Sequence, residues 1–214
     1  MSSGTPAVES AICEVGSLLW QSGLVTGTEG NISVRTADNR VVCTPSGAFK
    51  GSLKPESLVT IDLDGNVIGQ GKPSSEIKIH LEAYRRREDC KAVVHAHPPT
   101  AIGFSVAGED VPDNVLPESA VVLGSVATVP FGMPGTQELA DLLAPILPDH
   151  KTFILSHHGA MTLGTDVFDA CYRMQCLEKV CGVLLTAKLL GTTRPMPTDA
   201  FSKFLETSLH GRLN

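Results

Sequence analysis

His95-Ala96-His97 follows the apolar pair Val93-Val94 and is stopped by Pro98-Pro99. If Lys91-Ala92-Val93-Val94 is a buried strand, residues two apart share a face, so His95 and His97 project side by side from its end. A second pair, His157-His158, ends another apolar run, and Glu76 lies in the first turn of the helix expected just before the first strand. Imidazole is a favoured zinc ligand, and a catalytic zinc commonly takes three protein ligands and keeps one position for water or substrate. The spacing points to an open active-site metal. The plainer alternative is that the histidines satisfy carbonyls in a polar crevice. Neighbours in a strand project to opposite faces, so one of His157 and His158 should ligate while the other points away. Periodicity does not choose between them.

Three Gly/Ser-rich corners precede the histidine pair: Gly27-Thr28-Glu29-Gly30-Asn31, Thr44-Pro45-Ser46-Gly47 and Pro73-Ser74-Ser75. Glycine permits close backbone approach, and amides, hydroxyls and a helix amino terminus together bind a phosphate without a bulk basic surface. Taken singly, each corner also reads as an ordinary turn or cap. Gly-Thr-Glu-Gly-Asn lacks the Lys-Ser or Lys-Thr of a nucleotide P-loop.

The elements that must position these groups follow from periodicity and turn signals. Ile12, Val15, Leu18 and Leu19 give an amphipathic helix over about residues 7–22, stopped by Gly23. Hairpins are expected over residues 32–44 and 58–68. Ser74 or Ser75 can cap a helix burying Ile77, Leu81 and Tyr84. After the histidine strand come a short helix at about 99–106, a strand at 125–129, a helix opening at Gly135-Thr136-Gln137-Glu138, a strand at 151–155 and a long helix over about 165–190. Early hairpins followed by βα alternation predict a layered α/β domain around a mixed, largely antiparallel sheet.

With 214 residues and no low-complexity linker, the whole span 1–214 reads as one domain. A hydrophobic fraction of 42% and a charged fraction of 19% are those of a globular chain, and a net charge of −6 argues against a bulk nucleic-acid surface. Arg85-Arg86-Arg87, the one basic cluster, reads as a solvated helix end. No charged and then apolar leader and no long apolar run is seen, so a cytoplasmic protein with no membrane partner is expected. Cys13, Cys43, Cys90, Cys171, Cys176 and Cys181 are thinly spread and read as free thiols, the last three packed in a core.

Together these residues resemble the class II aldolase/adducin family, and within it the L-fuculose-1-phosphate aldolases. The matching pieces are Gly27 to Arg35, Thr44 to Gly47, Pro73 to Glu76, Val93 to His97, and His157-His158-Gly159, in family order. The resemblance implies a three-layer α/β/α domain in a cyclic homotetramer with active sites near subunit interfaces. It implies one Zn2+ per subunit held by His95, His97 and His158, with Glu76 approaching the metal when substrate is absent. Gly30, Asn31, Ser46, Gly47, Ser74 and Ser75 would hold the substrate phosphate.

The implied chemistry is reversible cleavage of a phosphorylated ketose to dihydroxyacetone phosphate and an aldehyde. Zinc would act as the Lewis acid that stabilises an enediolate, and Glu76 as the proton acceptor in the condensation direction, with its pKa raised toward working pH. Sister activities on the same scaffold include a 4-epimerase, a sugar-acid phosphate decarboxylase and a methylthioribulose-phosphate lyase or dehydratase. The 4-epimerases carry aspartate where this chain has Glu76, which favours the aldolase. A non-catalytic adducin-like module has no chemical need for Glu76 and all three histidines. The segment Val111 to Glu118 lacks the tyrosine of the fuculose enzymes; Glu118, or His210 in the tail, could stand in as a second acid/base group.

Overall fold

The computed structural model describes residues 5–210, with side chains described over 7–206. The expected hairpins form: β1 (Asn31–Arg35) pairs with β2 (Val41–Cys43), and β3 (Val59–Ile61) pairs with β2 and with β4 (Val67–Ile68), all antiparallel. β5 (Ala92–Ala96), β6 (Val126–Val129), β7 (Thr152–Leu155) and β8 (Gly159–Gly164) complete one eight-stranded sheet in the order β4-β3-β2-β1-β5-β8-β7-β6. Only the β6–β7 pair is parallel, so the sheet is mixed and largely antiparallel, as expected.

Helices cover both faces. α1 (Thr5–Gln21), α3 (Pro99–Ala107) and α5 (Val167–Leu189) lie on one side; α2 (Ile77–Arg86) and α4 (Gln137–Leu143) lie on the other. β5 shows why both layers are needed. Ala92, Val94 and Ala96 enter the α1/α3/α5 core, whereas Val93 enters the α2/α4 core. A strand buried on both faces reads as a continuous apolar run, here Ala-Val-Val, and its next side chain on Val93's side is His95.

Several elements differ from expectation. β8 was not foreseen: Gly-Ala-Met-Thr-Leu-Gly begins and ends in glycine and reads as the approach to α5. His157 and His158 are accordingly not the end of a strand but part of the tight turn between β7 and β8, where His157 takes φ 55° and the His158 amide donates to Leu155 O at 3.0 Å. A π-helical turn at Ser119–Leu123 and α6 (Thr198–His210), which packs on it, were also unforeseen. Glu76 sits at the N-cap of α2 rather than in its first turn, with its amide donating to Ser74 Oγ at 3.3 Å. Of the arginine cluster, Arg85 and Arg86 pair with Glu82 at the surface; Arg87 instead turns back to donate to the carbonyls of Leu147, Pro148 and His150. All six cysteines are free, with Cys171 and Cys181 buried in the core and Cys176 half-buried at its edge.

Candidate metal centre

Four side chains from three parts of the chain converge at the end of β5. His95 lies on the strand and His97 just beyond it, His158 comes from the β7–β8 turn, and Glu76 comes from the N-cap of α2. One ligand atom from each lies within 4.8 Å of all the others. Glu76 Oε2 is 3.1 Å from His95 Nε2, Glu76 Oε1 is 3.1 Å from His158 Nε2, and the Nε2 atoms of His95 and His97 are 3.2 Å apart. A tetrahedral shell of nitrogen and oxygen donors around a small divalent cation puts neighbouring ligands about 3.3 Å apart. The cluster fits such an ion.

The supporting contacts agree. His95 is fully buried, and its Nδ1 lies 2.9 Å from Ala160 O. A carbonyl only accepts, so Nδ1 carries the proton and the Nε2 lone pair faces the cluster. Glu76 Oε1 and His158 Nδ1 are buried with no hydrogen bond, the first although His158 Nε2 is 3.1 Å away, as an oxygen reserved for an ion would be. Gly159 makes the approach possible, since a Cβ there would stand 2.6 Å from Ala96 O, 2.9 Å from His95 Cε1 and 3.0 Å from His97 Cδ2.

Burial disfavours the Glu76 anion, but the imidazoles of His158 and His95 beside it outweigh that and hold the carboxyl well below the usual range. Burial, with the neighbouring His95 and His158, pushes His97 down to about 3, so its imidazole is neutral with a lone pair available.

The three Gly/Ser corners come together beside this cluster. Ser46 N donates to Lys72 O at 2.9 Å, Ser74 N donates to Thr44 O at 3.2 Å, and Pro45 bridges Pro73, which joins the second corner to the third. Ile32 N donates to Thr44 Oγ1 at 3.2 Å and Thr44 N to Ile32 O at 3.0 Å, which joins the second to the first. Gly30 and Asn31 are buried; Ser46, Gly47 and Ser75 are exposed at the rim, with Ser74 between. Gly30 has φ +70°, and a Cβ there would meet His95 O at 2.8 Å. Asn31 pairs with His95 across β1 and β5, and its Nδ2 donates to Glu76 Oε2 at 3.2 Å.

Other candidates fall elsewhere. His157 is exposed, its amide held by Ser105 Oγ at 3.1 Å. Glu118 is exposed and paired with Lys179 on α5 at 3.0 Å, away from the gathered ligands. The His210 side chain lies outside the described side chains. Lys50 was not foreseen. It is buried between the first two corners, and nothing in Ala48-Phe49-Lys50-Gly51 marks that in the sequence.

A sequence profile described as the Class II Aldolase and Adducin N-terminal domain matches residues 10–185. The chain belongs to the class II aldolase/adducin family. The class II aldolases of this family are metal-dependent, in keeping with the Glu/His cluster. Among class II aldolase/adducin relatives, the 3-oxo-tetronate 4-phosphate decarboxylase of Haemophilus influenzae is 32% identical over 204 residues, covering 94% of this chain and 96% of the relative. The L-fuculose phosphate aldolase of Methanocaldococcus jannaschii is 35% identical over 161 residues, covering 75% and 86%. The crystal structure of L-fuculose-1-phosphate aldolase from Thermus thermophilus superposes with a TM-score of 0.79 at 31% identity, covering 89% of this chain and 98% of that one. Among the described residues no helix is long and apolar enough to cross a membrane.

Proposed function

We propose that this chain is a zinc-dependent lyase that reversibly cleaves a phosphorylated ketose, L-fuculose-1-phosphate-like, to dihydroxyacetone phosphate and an aldehyde through an enediolate. The observation that carries this reading is the hydrogen bond from Asn31 to Glu76, which joins the phosphate corners to the metal cluster in one site. His95, His97 and His158 would hold one Zn2+ per subunit, and Glu76 could approach it when substrate is absent. The ion supplies Lewis-acid stabilisation of the enediolate.

The chain's own groups do the rest. Gly30, Asn31, Ser46, Gly47, Ser74 and Ser75 seat the phosphate through amides and hydroxyls and so fix which carbon faces Glu76. Glu76 takes the proton from that carbon in condensation and returns it in cleavage. Burial raises its pKa, and the neighbouring His158 and His95 lower it. Displacing the carboxylate from the imidazoles removes the lowering contacts and leaves burial, which moves the value toward that of a working base. A single domain over 1–214, assembled as a cytoplasmic homotetramer, completes this reading.

A second reading is decarboxylation of a 3-oxo sugar-acid phosphate. Two observations favour it: the Haemophilus influenzae decarboxylase is matched nearly end to end, and neither tyrosine of the chain stands in the cluster. Tyr84 is buried against Ser33 Oγ, and Tyr172 is exposed on α5. A departing carbon dioxide carries no hydroxyl proton, so decarboxylation needs no second acid/base group. Incubating zinc-loaded protein with L-fuculose-1-phosphate and with 3-oxo-tetronate 4-phosphate separates the two. Triose phosphate from the first supports the aldolase, and carbon dioxide from the second supports the decarboxylase. A metal-loaded protein that turns over neither sinks both.

A further inference from the structure

Lys50 opens a 3-10 turn, Lys50–Ser52, directly after the Thr44–Gly47 corner. Its side chain turns inward and the residue is 2% exposed. The ammonium donates to Thr28 O at 2.8 Å, in the first glycine corner, and to Ala48 O at 2.6 Å, just past the second. An ammonium has three donors, so one remains beyond these two carbonyls. Among the described residues Lys50 has no carboxylate within 4.0 Å: Glu29 and Glu76 act on it only at longer range. A buried cation without an adjacent counter-ion costs free energy unless something compensates it. What surrounds this one is a pair of glycine-rich corners with Gly27, Gly30 and Gly47 at positive φ, a backbone arrangement suited to an anion.

We propose that Lys50 supplies the positive charge of the phosphate seat and ties its first two corners together. It acts as a positioning residue through Thr28 and Ala48, and as the buried counter-charge to a phosphate dianion. The proposal rests on the phosphorylated-substrate reading above. It also accounts for an acidic protein binding an anion: one charge is held under the loops rather than spread over the surface. Burial pushes the ammonium down to about 8, so it is mostly charged at neutral pH.

The test uses metal-loaded full chain and two variants. Lys50→Met removes both charge and tether; Lys50→Gln keeps an N–H donor for a carbonyl but no charge. Inorganic phosphate is the calorimetric probe, and kcat/KM is measured on a phosphorylated ketose and on its unphosphorylated counterpart. The expected result is a loss of phosphate affinity of about tenfold or more in both variants, with the phosphorylated-to-unphosphorylated ratio of kcat/KM falling by a similar factor. Bound metal and Tm report folding, and the Gln variant serves if the Met variant does not fold. Wild-type-like phosphate affinity in both variants, or an equal loss on both substrates, overturns the assignment of Lys50 alone. A wild-type protein that binds no phosphate overturns the phosphorylated-substrate reading, and this proposal with it.

Discussion

Asn31 Nδ2 donates to Glu76 Oε2 at 3.2 Å while Asn31 itself pairs with His95 across β1 and β5. One side chain thus links the corner that would seat a phosphate to the carboxylate that would move the proton. Asn31→Ala is expected to lower kcat and raise KM together, each by about tenfold to a hundredfold, as loss of a ligand-orienting partner does. Asn31→Asp should be worse at neutral pH, because a second carboxylate would face Glu76. Steady-state kinetics on the two variants check this, and a change confined to KM counts against the link.

Glu76→Gln keeps the size and one oxygen of the side chain but removes its basicity. The three histidines should retain the metal, so metal analysis is expected to show near-wild-type content while turnover falls by about a hundredfold to ten-thousandfold. Wild-type turnover with metal bound would remove Glu76 from the chemistry.

Lys50 gives a pH dependence with a definite sign. Its folded value of about 8 lies below the ordinary 10.5, so between these the unfolded chain binds more protons than the folded one. Its contribution therefore makes the protein more stable as pH rises through that window. Phosphate binding runs the other way: affinity should fall as pH rises through about 8 and the ammonium discharges. Calorimetric titration of phosphate from pH 7 to about 9.5 checks it, and in Lys50→Met the decline should disappear.

Gly159→Ala probes the close approach of the ligands. The added methyl would stand 2.6 Å from Ala96 O and 2.9 Å from His95 Cε1, against backbone and a ring fixed by Ala160. A cost of about 1–3 kcal/mol is expected, lowering Tm by roughly 2–4 °C for each kcal/mol. Metal content should fall with it. An unchanged Tm and full metal loading would show that the turn relaxes freely.

Much of the site was legible because its chemistry is carried by local spacing. His95 and His97 are two apart at the end of a continuous apolar run, and Ser74-Ser75-Glu76 stands before a helical pattern; the structure has a strand and a helix at these places. Strand alternation does not separate His157 from His158, because both lie in the turn between β7 and β8. In the turn, His157 takes φ 55° and its side chain goes to solvent, while His158 points back over β5. Gly159–Gly164 was unreadable as a strand because its pairing with β5 and β7 comes from distant residues, not its own propensity. Lys50 was invisible for a related reason: its burial is set by loops on either side of it in space, joined at Thr28 O and Ala48 O.

The place of β5 between β1 and β8 has a consequence for how the protein matures. His95 needs Asn31 from the first hairpin on one side and Ala160 from the last strand pair on the other. Loops of that length close late in folding, because their entropy is lost before the contacts form. A nascent chain that has emerged only through the early hairpins and β5 therefore holds two imidazoles with neither ring fixed nor a third to join them. A metal held by all three histidines would therefore have to wait for the last strand pair, because His158 and the carbonyl that orients His95 both come from it.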